Sequence, residues 1–203
     1  MGPERRTLMM TDEEKKMTAY HEAGHALVSL NMPGSVPIHK ATIIPRGRAL
    51  GMVQSLPERD KISMHYDEMI ANLAMAMGGR VAEEMIFGKD KVSSGASGDI
   101  QQATSLARAM VTEYGFSTKL GRMAYTTPNA DMFHTPKIAE STQKIVDAEI
   151  LNLVEDGYAT AKKILTEDKK HLDTIALALI EYETLSGDEL KDLLEGKKPT
   201  RDY

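Results

Sequence analysis

The segment His21-Glu-Ala-Gly-His25 restricts the possible folds of this 203-residue chain more than any other pattern in it. Residues four apart on an α-helix lie one turn apart on the same face, so both imidazoles can reach a single zinc ion. Glu22, between them, can hold a water molecule beside that ion. The spacing therefore predicts a helix, and a catalytic zinc site on it would need a third protein ligand from another part of the chain.

The residues before this segment predict where its helix begins. Thr11 and Glu14 have the spacing of a capping box, in which each side chain accepts a hydrogen bond from the backbone of the other residue. Apolar positions recur with helical spacing from Met17 onward, and Pro33 ends the pattern. We therefore predict a helix over about residues 12–30, with both histidines on its apolar stripe.

The absence of cysteine limits the atoms that could bind a metal. Without a thiol the chain has no disulfide, thiolate zinc finger, iron–sulfur cluster or cysteine nucleophile. Any metal ion must therefore be bound by histidine, aspartate or glutamate. A metal-free interpretation stays open as well, in which His21 and His25 are partly buried side chains bonded to backbone acceptors and Glu22 is in solvent.

Charge and hydropathy exclude two further classes of protein. The 25 basic residues are outnumbered by 30 acidic ones, which gives a net charge of −5 and no basic surface for nucleic acid. No apolar run approaches the roughly 20 residues that span a bilayer, and the N-terminus lacks the apolar core of a secretory signal. We expect this chain to be soluble and not to bind nucleic acid.

The rest of the chain predicts a mainly helical fold with a small β-sheet. Two short β segments follow the first helix, at about residues 39–45 and 50–57. A last helix is predicted to begin at a second capping box, formed by Ser186 and Glu189. Between these features the apolar spacing predicts helices at about residues 63–87, 99–114, 137–166 and 171–182.

Two of these helices carry apolar stripes that predict their buried faces. The stripe of the second helix is interrupted by Gly78 and Gly79. Each glycine lowers the stability of a helix by about 1 kcal/mol relative to alanine, so we expect a reason for the pair, such as close packing of another backbone. Its inward residues are predicted to be Tyr66, Ile70, Leu73, Met77 and Val81. Those of the third helix are predicted to be Ala103, Leu106, Ala107, Met110 and Tyr114.

Several side chains could supply the third zinc ligand. Asp99 is the most suggestive, because it opens a helix and yet falls on the inward stripe, where a carboxylate needs a partner; alternatively it only caps the helix. Glu83 or Glu84 could also bind zinc, or could form a hydrogen-bonded pair. The metzincin arrangement is excluded, because Val28 and Asn31 stand where that class has glycine and histidine. The other candidates are His39, His65, His134 and His171.

Four segments in this order resemble the peptidase domain of the FtsH family of membrane-anchored, ATP-dependent zinc metalloproteases. They are HEAGH at 21–25, the segment at 39–51, GGRVAEE at 78–84 and SGASGDI at 94–100. The resemblance covers nearly the whole chain. It implies a zincin-like HExxH helix together with a helical bundle in the C-terminal part.

The resemblance implies a role for each site residue. His21, His25 and Asp99 would bind zinc. Glu22 would be the general base when water attacks the peptide carbonyl. Glu83 would lie near the site in a supporting position, and an alternative assignment makes it the third ligand in place of Asp99.

The resemblance also implies how such a domain is used. Unfolded or membrane proteins would be the substrates, and the β segment at about 49–56 could be an edge strand beside an extended chain. Members of the family form hexamers and carry transmembrane segments and an ATPase module upstream, whereas this sequence contains neither a phosphate-binding loop nor an apolar span. We therefore expect the proteolytic part of a longer protein, in which another module uses ATP.

That longer protein would reach the membrane only through its N-terminal part. It is expected in a bacterial inner membrane or the organellar equivalent, with this domain on the cytoplasmic side. The chain itself, 1–203, is expected to form one peptidase domain with a metal-site part at about 1–127 and a helical part at about 136–195, and its segment at 126–135 is shorter than expected for the family.

A rival interpretation from a different class is a non-catalytic helical interaction or assembly domain with a vestigial or structural metal site. A structural zinc ion is normally enclosed by four protein ligands. No fourth histidine or carboxylate is required by the sequence. The catalytic interpretation, with an open fourth position, is therefore favoured.

Overall fold

Helix α1 (Asp12–Asn31) is the central element of the fold, and it begins at the predicted capping box. The computed structural model describes residues 9–56, 63–126 and 138–201. In it, Thr11 Oγ1 accepts a hydrogen bond from the backbone N–H of Glu14 at 3.2 Å, and Glu14 Oε2 accepts one from the Thr11 N–H at 2.8 Å. Residues 18–29 of α1 are all buried, because other elements surround the helix.

The remaining elements confirm a mainly helical fold with a small sheet. Two 3₁₀ turns, Lys89–Lys91 and Ser94–Ala96, lie between the second and third helices. The described strands are β1 (Ile38–Thr42), β2 (Met52–Ser55) and β3 (Thr184–Ser186). The helices that follow α1 are α2 (Tyr66–Phe87), α3 (Ser97–Thr112), α4 (Glu140–Glu167), α5 (Lys169–Tyr182) and α6 (Gly187–Leu194).

The sheet contains one strand that the sequence did not predict. Its order is β2-β1-β3 and both pairings are antiparallel, with Ala41 opposite Val53 on one side and opposite Leu185 on the other. Strand β3 is only three residues long, which is too short for an alternating apolar pattern to identify it. Ser186 ends β3 and also caps α6, since its Oγ accepts from the Glu189 N–H at 3.1 Å. This is one half of the predicted capping box; among the described contacts, the Glu189 carboxylate accepts from Arg201 at 2.8 Å instead of from the Ser186 backbone.

Helices α1 and α2 cross with their backbones in contact. A Cβ atom built on Gly24 would lie 2.3 Å from the carbonyl oxygen of Gly78, and one built on Gly78 would lie 2.6 Å from the carbonyl oxygen of Gly24. Real Cβ atoms do not approach other atoms so closely. The crossing therefore requires glycine on both helices, which confirms close backbone packing at this part of α2 and fixes α2 over the middle of α1.

The helical C-terminal elements support this pair from outside. Helix α4 packs against α2, and α5 packs against α1. The Tyr20 hydroxyl of α1 donates to Asp173 of α5 at 2.8 Å, and burial together with this carboxylate raises the pKa of Tyr20 to about 12. The Tyr158 hydroxyl of α4 donates to the Glu84 carboxylate of α2. The C-terminal part thus braces both helices of the crossing.

Two residues of the predicted buried stripes lie at the surface instead. Tyr66 is 49% exposed and Tyr114 is 50% exposed, and both contact the ring of Phe116, at centroid distances of 5.1 and 6.2 Å. Tyr66 is the first residue of α2 and Tyr114 lies beyond the end of α3, so helical spacing does not direct them inward. The prediction was wrong for these two. The other stripe residues are buried or partly buried: Ile70, Leu73, Met77, Val81, Ala103, Leu106, Ala107 and Met110.

Some predictions fall on residues outside the described ranges. The proposed boundary between the two parts and nearly all of the segment at 126–135 lie there, as does His134. Among the described residues, no helix combines the length and the apolar composition that a membrane span needs.

Candidate metal centre

Three side chains from two helices bring their ligand atoms to one point. The Nε2 atoms of His21 and His25 lie 3.0 Å apart, and the Asp99 Oδ2 atom lies 3.1 Å from the first and 3.2 Å from the second. The histidines come from successive turns of α1, and Asp99 comes from the first turn of α3. Within the described parts of the chain, this is the one cluster of three or more such groups that could hold a metal ion.

The two imidazoles are oriented so that both Nε2 atoms face this point. His21 Nδ1 donates to Glu83 Oε1 at 2.9 Å, and His25 Nδ1 donates to the carbonyl oxygen of Met75 at 2.6 Å. A neutral imidazole that donates from Nδ1 has a free lone pair on Nε2, which is the form that binds a metal. Helix α2 therefore fixes both the orientation and the tautomer of the two rings.

Asp99 supplies the observation that tests whether a metal fits. Its Oδ2 atom is buried and, within the described structure, accepts no hydrogen bond, although both Nε2 atoms lie close to it. A buried carboxylate oxygen without a donor is costly, and a cation would satisfy it. Zinc bonds of about 2.0–2.1 Å in a tetrahedral arrangement place ligand atoms about 3.3 Å apart, close to the observed spacing. The donor set therefore fits zinc.

The electrostatics of the cluster favour a positive charge. Burial lowers the pKa of His21, but the Asp99 and Glu83 carboxylates outweigh this effect and raise the pKa to about 10. Burial would raise the pKa of both carboxyls, yet contact with His21 holds the pKa of Asp99 and of Glu83 below the usual range. The two carboxylates thus stabilise positive charge at this position, either a proton on His21 or a divalent metal ion that takes the place of that proton.

Glu22 lies beside the cluster but does not belong to it. It is buried on α1, and burial raises the pKa of its carboxyl, although the neighbouring His25 and His21 oppose the shift. A Cβ atom built on Gly51 would lie 2.9 Å from Glu22 Cγ, so the chain entering β2 passes directly over this side chain. Glu22 is therefore confined between α1 and the sheet.

A large cavity adjoins the cluster. It has a volume of about 1220 Å³, and His21, Glu22 and Asp99 all line it. Strand β2 and the residues before it form another part of its lining. Much of the remaining lining is apolar and includes Val36, Met52, Leu56, Met64, Met75 and Leu106. The cavity can accommodate a segment of polypeptide next to the histidines.

The other candidate ligands lie elsewhere. Glu84 accepts from Tyr158, His171 Nδ1 contacts Asp168 at 2.6 Å, and His65 lies just before α2. His39 is exposed on β1. None of these four residues contacts the cluster, and Glu83 contacts it only through His21 Nδ1.

Two residues that sequence reasoning missed contribute to the centre. Ser93 donates from its backbone N–H to Glu83 Oε2 at 2.7 Å, and its hydroxyl lies 3.1 Å from both oxygens of that carboxylate. Met75 contributes only a backbone carbonyl. Ser93 begins the small-residue loop that precedes Asp99, which is a weak signal. A backbone acceptor such as the Met75 carbonyl cannot be recognised from the residue type, because every residue carries a carbonyl group.

Similarity to known proteins extends over nearly the whole chain. The sequence pattern of peptidase family M41 matches residues 8–193. A protein from Caulobacter vibrioides, named ATP-dependent zinc metalloprotease FtsH, is 52% identical over 208 residues, covering 100% of this chain and 33% of that protein. A protein of the same name from Rickettsia bellii is 54% identical, and the match covers 98% of this chain and 32% of that protein. Another, from Myxococcus xanthus, is 45% identical, and the match covers 100% of this chain and 32% of that protein. The chain thus spans about a third of the length of these relatives.

Proposed function

The chain belongs to peptidase family M41, and from that membership we propose that it is a zinc metalloendopeptidase domain that cleaves unfolded polypeptides. The convergence of His21 Nε2, His25 Nε2 and Asp99 Oδ2 at the edge of a large cavity is the observation that carries the proposal. The relatives' name, which specifies zinc and proteolysis, supports both the metal and the reaction.

His21, His25 and Asp99 would hold the zinc ion. A bound zinc ion supplies Lewis-acid chemistry, polarising the scissile carbonyl and lowering the pKa of water. Three protein ligands would be the number that a catalytic rather than a structural zinc site has, and all three residues line the cavity. Glu83 and the Met75 carbonyl keep the Nε2 lone pairs of the two histidines directed at the ion.

Glu22 is proposed as the general base. Its carboxylate takes a proton from the attacking water while the water oxygen bonds to the peptide carbonyl carbon. It then returns the proton to the amide nitrogen as the carbon–nitrogen bond breaks, so that the leaving chain departs as an amine. The confinement of Glu22 between α1 and Gly51 supports this role, because a general base must be held within hydrogen-bond reach of the water.

The substrate is proposed to lie extended along β2. In the described structure β2 pairs only with β1, so its other edge has no strand beside it. An extended peptide can add to such an edge through main-chain hydrogen bonds, which do not depend on its sequence. The apolar lining of the cavity would then bind apolar side chains, which unfolded proteins expose. This mode fits a protease that accepts many substrates.

The wider setting is also a proposal. Because the relatives are about three times as long and their name includes ATP dependence, we propose that the chain works as the proteolytic part of a longer ATP-dependent protein. That protein would form a hexamer, hydrolyse ATP outside this chain, and degrade unfolded or membrane proteins from the cytoplasmic side of a bacterial inner membrane or its organellar equivalent.

The test combines zinc content with hydrolysis of a fluorescein-labelled unfolded protein such as casein. We expect the 203-residue chain to bind one zinc ion and to cleave the labelled protein. Glu22→Gln should retain the zinc and lose cleavage by about 10²–10⁴-fold. Asp99→Ala should lose both. Full zinc affinity in Asp99→Ala would refute the ligand assignment, and no cleavage by the zinc-loaded, assembled wild type would favour the non-catalytic interpretation.

A further inference from the structure

Gly79 lies on the face of α2 that meets the two histidines, directly beside the His21 ring. A Cβ atom built on Gly79 would lie 2.4 Å from Cε1, 2.5 Å from Nε2 and 2.6 Å from Nδ1 of His21. Nearly equal distances to three ring atoms mean that the face of the imidazole, rather than its edge, lies against the Gly79 backbone. Any side chain at this position would occupy the space of the ring.

We propose that Gly79 is a positioning residue for His21, because its bare Cα is the surface against which the imidazole lies and so sets where Nε2 points. The inference rests on the proposed zinc site and adds to it the residue that determines the placement of one ligand. Gly79 does not contact substrate or the reacting atoms. It acts only through His21.

The spacing of its neighbours on α2 supports this role. Met75, Gly79 and Glu83 are each four residues apart, so they form one stripe along the same face of the helix. Met75 accepts from His25 Nδ1, Gly79 lies against the face of the His21 ring, and Glu83 accepts from His21 Nδ1. A single stripe of α2 thus holds both imidazoles, by two hydrogen bonds and one surface.

The adjacent glycine has a different role. A Cβ atom built on Gly78 would meet the backbone of Gly24 at 2.6 and 2.8 Å, and the next atom that it would meet is the backbone nitrogen of His25 at 3.1 Å. Gly78 therefore permits the helix crossing, whereas Gly79 makes room for an imidazole. The contact between Gly78 and Gly24 fixes the backbone of α2 at the residue next to Gly79. Helix α2 therefore cannot move away from α1 to make room for a methyl group at position 79. The His21 ring must move instead.

The size of that movement follows from ordinary contact distances. Carbon atoms in contact are about 3.5–4.0 Å apart, so a methyl group at position 79 would displace the ring by roughly 1 Å. Functional groups at a site must be held to within about 0.5 Å. We therefore expect Gly79→Ala to weaken zinc affinity by about 10–100-fold, the range found when a group that orients a metal-binding histidine is lost.

The test is a double-mutant cycle of thermal stability in the zinc-free 203-residue chain, with zinc affinity measured in parallel by chelator competition. Gly79→Ala should lower the Tm by on the order of 5 °C when His21 is present. In a His21→Ala background the same substitution should have no destabilising effect or raise the Tm, because alanine is the better helix former and the ring is gone. Gly78→Ala is the matched control and should lower the Tm equally in both backgrounds.

Each outcome decides the proposal without reference to catalysis. Equal destabilisation by Gly79→Ala in both backgrounds would overturn it, because the added methyl group would then be meeting something other than His21. Unchanged zinc affinity in a folded Gly79→Ala variant would also overturn it. If Gly79→Ala alone fails to fold, a folded double variant supports the proposal and an unfolded one refutes it. A wild-type chain that binds no zinc would refute the proposed function while the cycle still reported the contact.

Discussion

Removal of the Glu83 carboxylate should separate its supporting position from a direct metal-binding role. Glu83 is 1% exposed and accepts from His21 Nδ1 at 2.9 Å, the Ser93 N–H at 2.7 Å and the Ser93 hydroxyl at 3.1 Å. In Glu83→Ala the His21 Nδ1–H and the Ser93 N–H both lose their acceptor. A buried donor left unsatisfied costs about 1–3 kcal/mol, so the loss of the acceptor for two donors should lower the free energy of unfolding by about 2–6 kcal/mol.

The effect on zinc should be smaller than that of losing a ligand. His21 would keep its Nε2 atom but lose the bond that fixes its tautomer and orientation, so the affinity for zinc should fall by about 10–100-fold. Glu83→Gln should behave similarly, because an amide has one acceptor oxygen for two donors, and its NH₂ group would face either His21 or Ser93. The conservative substitution therefore removes the same function without leaving a void.

The assay is a competition for zinc between the protein and a chelator whose affinity is known, with Asp99→Ala and Glu84→Gln measured beside the Glu83 variants. Glu84 is the matched control, since it is the adjacent carboxylate and bonds to Tyr158 rather than to the cluster. We expect Glu84→Gln to bind zinc as tightly as the wild type does. Glu83→Ala should bind zinc more weakly, and Asp99→Ala should bind it most weakly of all. A larger loss in Glu83→Ala than in Asp99→Ala would show that Glu83 is the ligand and would refute the reasoning.

Three further predictions concern stability. Gly24→Ala should cost about 3 kcal/mol, the upper end of the usual range for overpacking, because its methyl group would lie 2.3 Å from the Gly78 carbonyl oxygen; a wild-type denaturant midpoint would contradict this. Burial and the Asp173 carboxylate raise the pKa of Tyr20 to about 12, so its contribution to stability should be present below pH 10 and lost as pH rises toward 12; Tyr20→Phe should lack this loss in pH-dependent melting curves. Chelation of zinc held at 100 times its Kd should lower stability by about 2.7 kcal/mol, and an unchanged Tm in a calorimetric scan would argue against bound zinc.

The helices that carry the candidate ligands could be predicted from the sequence, because their features follow fixed spacings. His21 and His25 are four residues apart, and the capping box fixes where α1 begins, so the helix and the shared face of the histidines could both be predicted. Asp99 could be proposed as a ligand because a carboxylate on an inward stripe needs a partner. The structure brings it within 3.2 Å of both histidines.

The parts that could not be predicted depend on backbone geometry and tertiary packing. The Met75 carbonyl has no residue-type signature, and the position of Gly79 against His21 depends on where two helices cross. Strand β3 forms only because β1 offers it an edge, since three residues have no pattern of their own. Helical spacing places Tyr114 on the buried face only if the helix continues that far, whereas α3 ends at Thr112 and Tyr114 is exposed.

The pairing of β1 with β3 sets the order in which this domain can be completed during synthesis. The Thr42 and Thr184 hydroxyls lie 2.7 Å apart although 142 positions separate them in the chain. A ribosome therefore finishes the region from α1 to α3, which carries the three candidate ligands, well before the residues that cover the second edge of β1 have emerged. Until then β1 and β2 form a two-stranded ribbon, which is marginally stable in water. The cavity wall that β2 forms thus depends for its support on residues that are synthesised long after it.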